Sequence, residues 1–270
     1  MYALKDKVAV VTGAGSGIGR ALAQELDKKG CRLALSDVNE QGLAETAASL
    51  SARPHTQKLD VARREDFYAY AETVKKEFGT AHLVINNAGV AVSQTVEKLT
   101  YEDFEWLMGI NFWGVVYGTK AFLPMMLAQN DGRIVNISSI FGIIGVPTQS
   151  AYNAAKFAVR GFTEALRHEL ADSGVKAICV HPGGIKTNIA KASRFYVDPD
   201  GTSEKNDSLP RFERLAGTSP QQAALTIIGG VENGRERVLI GGDAKAVSLL
   251  ARLMPENYWK VLGALMKRMK

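Results

Sequence analysis

The residues Thr12-Gly13-Ala14-Gly15-Ser16-Gly17-Ile18-Gly19 follow a short apolar run and precede a segment of helical period. Glycines at such a junction let the backbone turn tightly and approach a pyrophosphate, whose charge then rests on the helix N-terminus. A glycine-rich turn can also be a packing device; its place between strand and helix favours a dinucleotide. Asp37 ends the next strand candidate, 18 residues after Gly19. A carboxylate there can accept hydrogen bonds from an adenosine ribose and repels a 2′-phosphate. With no Arg or Lys in 36–39, NAD(H) is preferred over NADP(H), although Asp37 and Asn39 both also suit a helix cap. Further on, Tyr152 and Lys156 stand four residues apart in a helix-period segment, so their side chains share one face. A free phenol, with a pKa of about 10, is too weak an acid to supply a base at neutral pH. A neighbouring ammonium, joined by the positive charge of an oxidised nicotinamide, lowers that pKa toward the working range.

These residues need a frame. Strand candidates are Lys7–Thr12, Arg32–Asp37, Thr56–Asp60, His82–Asn86, Arg133–Ser138, Lys176–His181 and Arg237–Ile240. Several are nearly continuous apolar runs, as expected of strands covered on both faces. Helix candidates lie between and after them, around 18–29, 40–50, 64–78, 101–129, 150–173 and 219–232. This alternation predicts an α/β fold: a Rossmann-type doubly wound parallel sheet of about seven strands with helices on both faces. Ligands then bind at the carboxyl ends of the strands. Residues 1–243 form a single catalytic domain, interrupted at 187–218 by a stretch rich in Pro, Gly, Asp and Ser that reads as a substrate lid.

The 270 residues are 46% hydrophobic and 23% charged, the balance of a globular protein with a sizeable core. No run of 18 apolar residues occurs, and Met1–Lys7 carries two lysines and an aspartate rather than a secretory signal. Cys31 and Cys179 lie far apart in strand-like runs and read as reduced core residues of a cytoplasmic protein. The net charge of +5 resides in 244–270, with six cations and one anion, whereas 1–243 holds 27 of each sign. That distribution argues against nucleic acid. None of the four histidines has metal-ligand spacing.

Taken in order, the glycine turn, Asp60-Val61, Asn86-Asn87-Ala88-Gly89, Asn111, Ser139, Tyr152-x-x-x-Lys156 and Pro182-Gly183 resemble the short-chain dehydrogenase/reductase superfamily, in its compact single-domain branch, over about residues 5–242. The resemblance implies that Tyr152 exchanges the proton with the substrate oxygen, and that Lys156 tunes Tyr152 and holds the nicotinamide ribose. Ser139 orients the substrate carbonyl, and Asn111 holds a water that relays protons through Lys156. It further implies cofactor contacts from Gly13, Ser16, Gly17, Ile18 and Gly19, from Asp60 and Val61 at the adenine, and from Asn87, Ala88 and Gly89. Pro182 and Gly183 bend the chain past the nicotinamide, with Ile185 and Thr187 near its carboxamide.

The pocket walls expected from 90–96, 139–149 and 184–196 are mostly apolar: Val90, Val92, Phe141, Ile143, Ile144, Val146, Ile189, Phe195 and Tyr196, with Gln94 and Gln149 as sparse polar groups. The expected substrate is an uncharged hydrophobic ketone or secondary alcohol, touched by Ser139, Tyr152, Phe141, Gln149 and Phe195. Arg194 is the residue that could reverse that expectation. Competing readings are an NADPH-preferring carbonyl reductase, a sugar-nucleotide epimerase and a non-catalytic cofactor-binding regulator. The helix candidates 101–129 and 150–173 are apolar on more than one side, and the resemblance implies that they pair copies into a homodimer, with a homotetramer through Arg237–Ile240 as the larger alternative. The tail 244–270 reads as a basic amphipathic helical extension, with Tyr258, Leu262, Leu265 and Met269 at helical spacing. It can pack on protein or touch a membrane surface from outside.

Overall fold

Seven strands pair side by side, all parallel, into one sheet; six are largely apolar, and the edge strand His55–Lys58 is polar. The strands are β1 (Val8–Thr12), β2 (Arg32–Asp37), β3 (His55–Lys58), β4 (Leu83–Asn86), β6 (Gly132–Ile137), β7 (Val175–Pro182) and β9 (Arg237–Ile240), in the order β3-β2-β1-β4-β6-β7-β9. They agree with the sequence expectation to within one or two residues at each end. β1 and β4 are buried along their whole length, which is why their sequences lack a polar alternation. The chain moves outward from β1 in both directions, so a crevice opens beyond the carboxyl ends of β1 and β4. The structure is a computed structural model describing residues 1–198, 201 and 216–268, the last four by backbone only.

Helices cover both faces. On one side α1 (Gly17–Lys28) and α7 (Pro220–Glu232) bury Leu22, Leu26, Ile227 and Val231 against the sheet. On the other, α3 (Arg64–Phe78) and α5 (Gly114–Ala128) bury Phe67, Tyr70, Val74, Phe122 and Met126. Each large apolar side chain so buried stabilises the fold by roughly 1.5–3 kcal/mol. α2 (Glu40–Ala48) packs beside β2 and β3, and α6 (Ser150–Glu169) carries the Tyr-Lys pair.

Three departures from the sequence expectation bear on the site. The helix expected over 101–129 is α4 (Tyr101–Met108), a π-turn at Gly109–Trp113, and then α5. Asn111 sits fully buried in that wide turn, where both ends of its amide bond the backbone of Val90. The lid region is not wholly irregular: Arg194–Phe195 forms a strand, β8, paired in parallel with β5 (Val92–Ser93). Of the expected lid 187–218, residues 199–200 and 202–215 lie outside the described residues. The extension begins at Gly242, two residues before the expected boundary at 244, as α8 (Gly242–Leu253), followed by α9 (Tyr258–Arg268). Tyr258 and Leu262 of its expected apolar stripe are half-buried. Met269 and Lys270 lie outside the described residues, as do the side chains of Leu265, Lys267 and Arg268.

Candidate active site

The glycine turn is held from three sides. Gly13 adopts φ +66°, and a Cβ there would lie 2.8 Å from Ala88 Cα, so only glycine allows the two loops to meet. Thr12 Oγ1 accepts from the backbone N–H groups of Asn87 and Ala88, both at 3.1 Å. Asn87 Nδ2 donates to Thr12 O at 2.9 Å and Gly13 O at 3.2 Å. Ser16 caps α1, yet its hydroxyl makes no capping bond, and the first turn contains no acid. Ile18 is half-buried and Gly19 buried behind this turn. A helix start with no acid in its first turn and no side-chain cap on its N–H groups fits a dinucleotide pyrophosphate.

Asp37 stands at the edge of this turn. Its Oδ2 accepts from Gly15 N at 2.8 Å and its Oδ1 from Asn39 N at 2.9 Å. The helix cap belongs to Asn39, whose Oδ1 accepts from Gly42 N at 3.1 Å. The nearby cation, Arg20, is spent on Gly15 O at 2.7 Å, Gly42 O at 3.1 Å and Glu45 at 2.8 Å. It braces the turn. Asp60 is exposed and accepts from Ala62 N at 3.0 Å, while Val61 is buried against Gly114.

The reaction centre lies where β6, β7 and α6 meet. Lys156 Nζ is 5.5 Å from the centroid of the Tyr152 ring and donates to Ile137 O at 2.9 Å. Burial pushes the Lys156 ammonium down to about 8. Burial likewise pushes the Tyr152 phenol up to about 12, against a hydrogen bond from Ser139 that pulls it down. Burial is what holds the phenol up; the Lys156 ammonium is committed to the Ile137 carbonyl. A further positive charge is what remains to lower the phenol.

Ser139 Oγ accepts from Phe141 N at 3.1 Å, and the Phe141 ring stands edge-on to Tyr152 at 6.0 Å. Asn153 fastens the loop they share: its Nδ2 donates to Phe141 O and Ile144 O, both at 2.7 Å, and its Oδ1 accepts from Val146 N at 3.0 Å. His181 Nδ1 donates to Ser139 O at 3.0 Å, because a carbonyl can only accept. Its Nε2 is buried without a hydrogen-bond partner among the described residues. Gly89 separates Asn111 from Lys156: a Cβ there would lie 3.2 Å from Asn111 Oδ1 and 3.7 Å from Lys156 Nζ. The Asn111 side chain is thus a strut for the loop after β4, and its amide has no direct bond to Lys156.

The remaining expected site residues divide. Gly183 N bonds Ile240 O at 2.9 Å directly after Pro182, so this turn is tied to β9. Thr187 faces Gly17 across the glycine turn, whereas the Ile185 side chain is buried in the core beneath it. Gln149 bridges to Gln94 at the start of α6, and Phe195 is half-buried in β8. Val92 and Ile144 are 1% and 3% exposed, so they support the pocket rather than line it. Arg194 is engaged: it donates to Asp103 Oδ1 at 2.7 Å and lies 3.8 Å from the centroid of the Trp106 ring. Asn153, His181, Arg20 and Asp103 were not among the expected site residues. Asn153 carried the one usable signal, a polar residue on the inward face beside Tyr152.

A family model described as short chain dehydrogenase matches residues 7–195. SadH of Mycobacterium tuberculosis is 52% identical over 269 residues, covering 98% of this chain and 96% of that protein. Human estradiol 17-beta-dehydrogenase 11 is 32% identical over 95% of this chain and 82% of its own. The crystal structure of a short chain dehydrogenase/reductase from Burkholderia phymatum in complex with NAD superposes with a TM-score of 0.86 at 31% identity, covering 95% of this chain and 96% of that one.

Proposed function

The chain belongs to the short-chain dehydrogenase/reductase family of oxidoreductases, and we propose that it transfers hydride between NAD and an uncharged, hydrophobic ketone or secondary alcohol. The observation that carries this reading is the convergence of Ser139, Tyr152 and Lys156 on one end of the sheet, in a chain whose glycine turn opens a helix with no acid in its first turn. The bound nicotinamide supplies the hydride donor or acceptor. Tyr152 gives its phenolic proton to the substrate oxygen in reduction and takes it back in oxidation. Ser139 holds that oxygen within reach of the phenol. Lys156 anchors the ribose side and favours the phenolate as oxidation proceeds.

NAD is favoured over NADP by Asp37, a carboxylate already fixed by two backbone N–H groups, and by the engagement of Arg20 elsewhere. An NADPH-preferring carbonyl reductase is the second reading; it requires the 2′-phosphate to displace those contacts. A non-catalytic regulator would not need Ser139, Tyr152 and Lys156 together. The substrate is taken as uncharged because Arg194 is occupied by Asp103 and Trp106.

The protein is proposed to act as a homodimer. Trp113 and Tyr117 stack at 5.8 Å, and Trp113 at the end of the π-turn and Phe157 on α6 remain 47% and 41% exposed, an aromatic surface suited to a two-fold partner. A tetramer through β9 is disfavoured because α8 packs beside that strand, with Arg237 donating to Ser248 at 3.2 Å. A cytoplasmic setting accords with two free, buried cysteines. No helix among the described residues is long and apolar enough to cross a membrane. A panel of aliphatic ketones and secondary alcohols, followed by nicotinamide absorbance with each dinucleotide, tests the proposal. Turnover with NAD(H) on neutral substrates supports it; turnover confined to charged substrates or to NADP(H) overturns it.

A further inference from the structure

The C-terminal extension touches the site at two separate loops. At its start, Asp243 Oδ2 accepts from Gly184 N at 2.6 Å, in the turn that follows Pro182-Gly183. A side chain at Gly183 would collide with the Asp243 carboxylate, so that turn is shaped around the extension. At the start of α9, Tyr258 Oη accepts from Gly145 N at 2.9 Å, in the loop that begins at Ser139 and is braced by Asn153. Tyr258, Trp259, Val261 and Leu262 are half-buried. α8 joins the two points and itself packs against the short helical turn Ile140–Gly142.

We propose that α8 and α9 form the outer wall of the substrate cleft, with Tyr258 as the positioning residue that fixes its width and selects substrates bearing an extended aliphatic chain. This rests on the function proposed above. The loop 140–146 has two holdfasts. Asn153 secures the inner part, next to Ser139 and Tyr152; Tyr258 secures Gly145, the outer part. Val261 and Leu262, half-buried on α9 just after Tyr258, supply apolar side chains next to the second holdfast, and the proposal gives them the distal carbons of a long substrate. A short substrate reaches only the inner part. Loss of the outer holdfast therefore affects long chains and spares short ones.

Two measurements test this. The first compares wild type with Tyr258→Phe on secondary alcohols from butanol to decanol. Removing one hydrogen bond from the outer loop is expected to lower kcat/KM for decanol about five- to tenfold, through KM, with butanol unchanged. A merely structural role for Tyr258 would lower both alike, and that result, or no change in either, overturns the proposal. The second measurement is hydrogen exchange of the full-length wild-type protein with and without decanone. Protection of both 140–146 and 242–262 supports the wall, and no protection there overturns it. Protection without turnover of any alcohol or ketone removes the proposed function and leaves the wall standing. Turnover without protection does the reverse.

Discussion

Arg194, in β8, donates to Asp103 Oδ1 at 2.7 Å, across 91 residues of sequence. The Asp103 side chain is only 6% exposed, and the guanidinium also covers the face of Trp106. Burial raises the Asp103 carboxyl, but hydrogen bonds from Arg194 and Tyr196, with the charge of Arg194, bring it to a net value below its ordinary range. The pair latches β8 onto α4 and removes a cation from the pocket.

Breaking this latch should loosen the lid without touching the chemistry. Arg194→Met leaves Asp103 short of a partner in a buried position, at a cost of about 1–3 kcal/mol. The expected result is a lower melting temperature and a higher KM, with dinucleotide affinity unchanged. Adding Asp103→Asn should recover part of the stability, since no unpaired charge then remains. A double variant whose losses simply add would show that the two side chains are not coupled.

The cofactor preference should rest on Asp37. Wild type is expected to favour NAD over NADP in kcat/KM, because a 2′-phosphate would face a fixed carboxylate. Asp37→Ser should narrow that ratio by about one to two orders of magnitude, mainly through loss of repulsion. Steady-state kinetics with both dinucleotides measures this directly; an unchanged ratio would relocate the selectivity to another residue.

His181 should give the fold an acid-sensitive point. Burial lowers its imidazole from 6.5 to about 4, so between those values the unfolded chain binds a proton that the folded chain does not. Its contribution is complete above pH 6.5 and lost as pH falls toward 4. The loss is up to about 3 kcal/mol. His181→Asn retains a donor for Ser139 O and cannot titrate, so its denaturant midpoint should fall less steeply across that window. Equal slopes in the two proteins would contradict the assignment.

The parts of this molecule that could be read from the sequence are those made by near neighbours. Apolar runs bounded by Gly, Asp or Asn mark the strands, because strands covered on both faces exclude polar residues. Tyr152 and Lys156 share a face because four residues make about one helical turn. What could not be read depends on distant partners. β8 owes its existence to Val92 and Ser93, and Arg194 owes its neutralisation to Asp103. Tyr258 meets Gly145 from 113 residues away. The amphipathic pattern of the tail predicted a helix, and the pattern alone had no means of naming the loop it would clasp.

The central claim is that the Tyr152 phenol carries the substrate proton. Tyr152→Phe keeps the ring that packs against Phe141 and removes only the hydroxyl. On the alcohol that wild type oxidises best with NAD, turnover should fall by about 10²–10⁴, while the dissociation constant for NADH, read by fluorescence, stays within a factor of about three. A variant that binds NADH as wild type does and retains its turnover would contradict the account.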